Sequence, residues 1–371
     1  LYFDIAATTP LDKNVAEIMT EIQSNIFGNP SSIHQFGQKS RSVIEKSRRQ
    51  IAKSLHSKPN EIIFTSGGSE SNNLVLHGVL KSGDHFITAS YEHPAIIKVA
   101  NKLEQRGVDV SYIKPNSDGV IDCSDIKDSI KDNTALISIM YVNNELGCIN
   151  PISEINNIAK KNNIKMHTDA VQLIGKKDLN LGALDVDFLS IAAHKYYGPK
   201  GIGALYIRRK SPRITLESLI TGGNQENKLR AGTLNTPSVV GLGEAIEIAV
   251  ANLESNTKIL QDIKTQFKAL FVQFNAKFNE AESNTSQHVL NVCLPTIKAN
   301  NLLKHTRKIS YSLGSACTSE TLDPSHVLTA MGQSKEEAFS SFRLSFSPTI
   351  TQKEIDTALN TFSVAMTSLL D

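Results

Sequence analysis

The feature that most constrains this chain is a repeated alternation of short apolar runs with amphipathic segments across its first two-thirds. Apolar, β-branched runs fall at residues 61–65, 85–89, 135–141, 164–168, 188–192 and 202–207, with helical patterns at 69–81, 94–106 and 152–163 between several of them. Runs this short and this uniformly apolar suit strands buried on both faces. Strands that alternate with helices call for an α/β architecture with a mostly parallel sheet. In such sheets ligands bind outside the carboxyl ends of the strands, so the chemistry is expected in the loops that follow them. From about Thr236 to Ala276 the pattern changes to one long helical stretch. It leads to a second, smaller α+β unit: a strand at 288–294, a helix at 299–308, a Gly/Ser-rich loop at 312–319, a strand at 341–345 and a closing helix at 351–370. A chain of 371 residues is long enough for two such units. The division expected is a large domain over residues 13–255 and a small one made of 1–12 and 256–371.

Composition narrows the function classes. A formal net charge of +2 gives no reason to expect a direct nucleic-acid partner. No apolar run is long enough to span a bilayer, so no membrane role is expected. The four cysteines, Cys123, Cys148, Cys293 and Cys317, form no C-x-x-C pair. That speaks against a zinc site and a disulfide framework, so no metal and a cytoplasmic setting are expected.

Several strand ends carry reactive side chains. The run Ser190-Ile191-Ala192-Ala193-His194-Lys195 ends on a lysine, and a Gly-Pro turn follows. A lone strand-end lysine is ordinarily a solvated amine. Small neighbours here admit a planar ring, and an uncharged ε-amine can form an imine with an aldehyde. Asp169 closes the preceding strand, 26 residues before Lys195. On neighbouring parallel strands the two would share one rim. A lysine that forms the imine and an acid that keeps a pyridine nitrogen protonated are what pyridoxal phosphate (PLP) requires. Thr65-Ser66-Gly67-Gly68-Ser69 follows a strand and opens a helix, a setting whose N–H groups bind phosphate. His93 precedes Pro94 at another helix start, where an imidazole can stack on a ring or move protons. Cys317 lies among Gly314, Ser315, Thr318, Ser319 and Glu320, a setting that suits an exposed nucleophilic thiol. The other three cysteines lack it and read as structural. Arg343 lies in an alternating strand and could clamp a carboxylate with two parallel bonds.

Together and in this order, these motifs closely resemble a cysteine desulfurase of the NifS/IscS type, within the class V aminotransferase superfamily. The resemblance begins at Asp4-Ile5-Ala6-Ala7-Thr8-Thr9-Pro10 and runs through the Phe27–His34 and Thr65–Asn73 stretches, Tyr141-Val142-Asn143-Asn144 and Arg230-Ala231-Gly232-Thr233 to Gly314-Ser315-Ala316-Cys317. It implies a PLP enzyme of fold type I, working as a homodimer, that converts L-cysteine to L-alanine. It also implies that the sulfur is captured as a persulfide on Cys317. That sulfur would pass to an acceptor protein, a scaffold for iron–sulfur cluster assembly or a thiolation enzyme.

Carried over motif by motif, Lys195 forms the Schiff base, Asp169 pairs with the ring nitrogen, and His93 stacks on the ring and shuttles protons. Gln172 bonds the phenolic oxygen. Gly68, Ser69 and His194 help hold the phosphate, and Thr233 reaches the phosphate site of the other subunit. Asn144 and Arg343 hold the substrate carboxylate. One departure stands out: the family usually has a hydroxyl residue three before the lysine, and here that position is Ala192. Two other readings fit part of the pattern. A selenocysteine lyase or another class V enzyme would not need Cys317 for sulfur transfer. A non-catalytic sulfur-relay partner would not need Lys195, Asp169 and His93.

Overall fold

The computed structural model describes residues 1–210, 214–281, 283–313 and 323–371. Its centre is a seven-stranded sheet of β1 (Ile62–Thr65), β2 (His85–Ala89), β3 (Asp109–Ile113), β4 (Thr134–Ser138), β5 (Lys165–Asp169), β6 (Phe188–Ala192) and β7 (Gly203–Ile207). The spatial order is β1-β7-β6-β5-β4-β2-β3. Neighbours from β3 to β6 pair in parallel, and β7 runs antiparallel to both β6 and β1. The carboxyl ends of β1, β2, β4, β5 and β6 therefore lie on one rim.

Side chains on a strand point to alternate faces, and the core is built on that period. Ile62, Phe64, Ile87, Ile137, Leu189 and Ile191 pack on one face with Ile44, Ile155, Val239 and Leu242. Ile63, Phe86, Leu136, Phe188 and Leu205 pack on the other with Leu74, Ile96 and Leu103. Helices cover both faces, as the unbroken apolar runs required. Edge strand β3 escaped the sequence reading because Asp109-Val110-Ser111-Tyr112-Ile113 is polar at alternate positions and only its last residue is buried.

The helical stretch expected over 236–276 is two helices, Thr236–Ala251 and Leu253–Val272. Asn252 ends the first and opens the second, and its side-chain amide donates to the Ile248 carbonyl at 2.9 Å. Asparagine competes with the helical backbone in this way, which is why it is favoured at caps.

A second sheet joins β8 (Lys277–Phe278), β9 (Val289–Cys293) and β10 (Ser341–Ser345) in the antiparallel order β10-β9-β8. Its core is aromatic: Phe267, Phe271, Phe342, Phe346 and Phe362 cluster there with Phe3 from the N-terminal stretch. The N-terminal stretch is tied on by a bridge from Asp4 to Ser345. Val327, Leu328 and Ala338, which follow the 314–322 stretch, pack into the core of the large sheet. Cys148 and Cys293 are buried and Cys123 is partly buried. Among the described residues, no helix is long and apolar enough to cross a membrane, and no group of three His, Cys, Asp or Glu side chains is placed to hold a metal.

Candidate active site

Above the rim lies a cavity of about 310 Å³. Lys195, Asp169, His93, His194, Gln172, Gly68, Ser69, Asn144 and Arg343 all line it, although they span the chain from residue 68 to 343. Parallel pairing explains the central couple. β5 and β6 run side by side with Asp169 opposite Ser190, and a short 3₁₀ turn, Ala193–Lys195, carries the lysine off the end of β6.

The amine of Lys195 donates to the carbonyls of Ala6 (2.8 Å) and Ala7 (2.7 Å), two residues of the N-terminal stretch that also line the cavity. The Lys195 carbonyl in turn accepts from the amine of Lys176 at 2.5 Å. Burial, and secondarily the charge of Lys195, pull Lys176 down to about 7.

Asp169 is nearly buried. Its Oδ2 accepts from Asn72 Nδ2 (2.7 Å) and its Oδ1 from the Val171 amide (2.9 Å). The carboxylate is thus oriented by two donors, one of them in a local turn two residues on. Asn72 lies in the 65–73 motif, but its link to Asp169 joins residues 97 apart and had no local signal.

The helix Gly68–Val79 opens beside the cavity with no side chain capping its first amides. A second cleft of about 360 Å³ shares Gly68, Ser69 and His194 with the cavity and adds Lys200. Uncapped amides beside a lysine make an anion site. Gly68 matters here for space, since a Cβ on it would stand 2.7 Å from Val171 Cγ2. Ala192 lines the same corner, fully buried and without a hydroxyl to offer. His194 Nδ1 pairs with Thr8 Oγ1 at 3.1 Å. Burial, with Lys195, Lys200 and Lys176 nearby, holds its imidazole down at about 4, so it is uncharged at neutral pH.

His93 caps the helix Pro94–Glu104: its Nδ1 accepts from the Ala95 amide at 3.1 Å. Its basicity is lowered, chiefly by burial. Gln172 is held by the Ala6 carbonyl through Nε2 (2.8 Å) and meets His288 Nε2 through Oε1 (3.3 Å).

Arg343 is buried on β10 and already engaged. It pairs with Asp4 at 2.6 Å and donates to the Asn144 carbonyl (2.8 Å) and Ser312 Oγ (3.1 Å). Its Nε is buried without a partner among the described residues. A guanidinium this constrained is a preset fork, and Asp4 occupies part of it.

Among the described candidates, Thr233, expected at the phosphate of the other subunit, does not line this cavity. Thr233 is exposed and lines a separate cleft of about 840 Å³ with Asn29, Arg48 and Glu226. Cys317 lies outside the described residues. The chain on either side of it is fastened to cavity residues: the Ser312 amide donates to the Arg343 carbonyl (3.2 Å), and Ser325 Oγ donates to Glu145 Oε2 (2.5 Å).

Two groups of the cavity wall were missed by the sequence reading, Glu145 and His326. Glu145 is fully buried, and its Oε1 has no partner among the described residues. Its carboxyl is raised above the usual range by burial, against the opposing pull of the Ser325 bond, His326 and Arg343. Glu145 was visible within the Asn143-Asn144-Glu145 run, but nothing local marks His326.

A profile of the aminotransferase class-V family matches residues 1–358. The cysteine desulfurase IscS of Dictyoglomus turgidum is 41% identical over 368 residues, covering 97% of this chain and 93% of the relative. Among solved structures, a NifS-like protein superposes with a TM-score of 0.93 at 34% identity, covering 99% of both chains. SspA in complex with cysteine superposes with a TM-score of 0.83 at 39% identity, covering 94% of this chain and 99% of that one.

Proposed function

We propose, from the premise that this chain belongs to the aminotransferase class-V family, that it is a cysteine desulfurase that holds PLP on Lys195 and loads sulfur onto Cys317. The observation that carries the reading is the placing of Lys195 and Asp169 on adjacent strand ends beside an uncapped helix N-terminus. These residues fit the cofactor by their chemistry. Lys195 offers the amine for its aldehyde and Asp169 a fixed carboxylate for its ring nitrogen. Gly68, Ser69 and His194 offer hydrogen-bond donors for its phosphate. Gln172 is the partner for the phenolic oxygen, and His93 the ring beside it. Bound there, PLP supplies a protonated ring that withdraws electrons from the substrate Cα.

The protein's own groups do the rest. Arg343 and Asn144 hold the substrate carboxylate, and the Asp4 partner of Arg343 must yield for a two-bond grip. Lys195 Nζ takes the proton from Cα. The Cys317 thiolate attacks the substrate sulfur, the S–S bond forms as the Cβ–S bond breaks, and a proton completes the alanine methyl group. L-cysteine and one Cys317 thiol become L-alanine and one Cys317 persulfide. Atoms and electrons balance without an outside oxidant.

The same reading extends to the assembly. A homodimer would set Thr233 of one subunit at the phosphate of the other. It is supported by the exposed cleft that Thr233 lines and by exposed Phe27, Ile33 and Phe36 in the stretch adjoining Asn29 of that cleft. The division into 13–255 and 1–12 with 256–371, a cytoplasmic setting, and a scaffold or thiolation enzyme as sulfur acceptor belong to the same proposal. Mass spectrometry after L-cysteine tests its core. Expected are added sulfur on Cys317 and alanine in solution, with both lost in Cys317→Ala while its cofactor absorbance stays. Alanine formed at the parent rate by Cys317→Ala would sink the assignment.

A further inference from the structure

Two of the imidazoles on the cavity wall, His93 and His326, are fixed in the same tautomer but leave opposite ring nitrogens unengaged. His326 Nε2 lies 3.0 Å from the Glu92 carbonyl oxygen. A carbonyl only accepts, so Nε2 carries the hydrogen, and the lone pair of the neutral ring is on Nδ1. Among the described residues nothing donates to that nitrogen. His93 has the same tautomer but engages the other nitrogen. Its Nδ1 accepts the Ala95 amide, so its hydrogen sits on Nε2, and the neutral ring has no second lone pair to offer. His93 therefore meets a ligand as a donor. Asp169 is held by Asn72 and Val171.

We propose that His326 is the base that takes the proton from the α-ammonium of the incoming amino acid, with Glu145 stabilising the resulting charge and His93 acting as donor. The step deepens the desulfurase reading and rests on it. A free amino acid arrives with its amine protonated and cannot react with an electrophile in that form. The proton passes to His326 Nδ1 and the N–H electron pair stays on the amine nitrogen. His326 becomes an imidazolium with a hydrogen on each nitrogen, and the proton returns when alanine leaves. The surroundings suit a charge held this way. Glu145 and His93 reach the cavity from the loops after β4 and β2. A charge on His326 attracts the Glu145 carboxylate and disfavours a charge on His93, which keeps His93 neutral. Glu92 meets it through its carbonyl, while Lys195 and Arg343 line the same cavity. Glu145 is the one acid among these with a side-chain oxygen on the cavity wall and without a partner among the described residues. Its Oε2 is fixed by Ser325, the residue next to His326.

The test is stopped-flow absorbance of the PLP-loaded enzyme mixed with L-cysteine or L-alanine. Alanine has the ammonium but no thiol. His326→Asn keeps an amide donor for the Glu92 carbonyl but cannot bind a proton. It should slow the absorbance change by roughly 10²-fold at neutral pH with both amino acids. The gap should close at alkaline pH, where the amine ionises unaided. Glu145→Gln, which keeps an acceptor for Ser325, should shift the profile in the same direction by less. In the cofactor-free protein, histidine-ring nitrogen NMR should show both neutral rings protonated on Nε2. An unchanged rate overturns the proposal. So does slowing with cysteine alone, which marks a thiol proton, or slowing that persists at high pH, which marks a structural role. A parent protein with no cofactor absorbance, or none that responds to either amino acid, brings down the desulfurase reading itself.

Discussion

The aromatic core of the small sheet and the cavity rim of the large one are built on opposite terms. In the first, Phe267 touches Phe3, Phe271, Phe346 and Phe362 at ring separations of 5.1–6.3 Å and leaves no polar atom to satisfy. In the second, Glu145 Oε1, Asn72 Oδ1, Glu92 Oε2 and Arg343 Nε are buried without partners among the described residues. Each such group costs about 1–3 kcal/mol when left unsatisfied. Burial there also displaces His93, His194 and Lys176 from their ordinary protonation. One region is spent on stability. The other gives up stability to keep polar groups ready for a ligand.

The largest effect that separates the two is expected from Phe267→Ala. It should cost about 3–5 kcal/mol in denaturant unfolding, while the protein that remains folded forms alanine at the parent rate. A folded Phe267→Ala protein with lost turnover would break the comparison, because the small core would then be shaping the site.

Lys176 sharpens the comparison from the other side. Its folded value, about 7, lies below its ordinary 10.5, so between these pH values the unfolded chain carries a proton that the folded one lacks. Stability therefore rises with pH across that window, and it is lowest below about 7, where the charge must be buried. Lys176→Met should flatten this rise in unfolding measured from pH 7 to 10. An unchanged slope would remove Lys176 as its source.

The smallest effect is expected from Ala192→Ser. A hydroxyl placed in the phosphate corner adds one hydrogen bond, worth roughly 0.5–1.5 kcal/mol, which tightens PLP about two- to tenfold in a cofactor titration. Weaker binding would show instead that the corner is too tightly packed, since Ala192 Cβ lies 3.8 Å from the ideal Cβ position of Gly68.

How much of the site could be read beforehand depended on sequence distance. Lys195, Asp169, Gly68 and His93 each sit where a strand or helix begins or ends, and such ends leave local marks in small residues, caps and apolar period. The state of Arg343 left no mark. Its strand was legible, but its partner Asp4 is 339 residues away. Thr233 was legible as a motif, while its placing on a separate cleft depends on how the stretch after β7 packs.

By itself the sequence determined the α/β class, the parallel run of strands and the set of residues at their carboxyl ends. These follow from period and propensity, which act over a few residues. Only the tertiary structure decided that His326 shares a cavity with His93, that Glu145 stands unpartnered beside it, and that each ring has a fixed tautomer. Those facts rest on single hydrogen bonds between segments far apart in the chain, such as His326 to Glu92 across 234 residues. No local pattern encodes a bond of that kind. It exists once the large sheet has closed and its loops have packed.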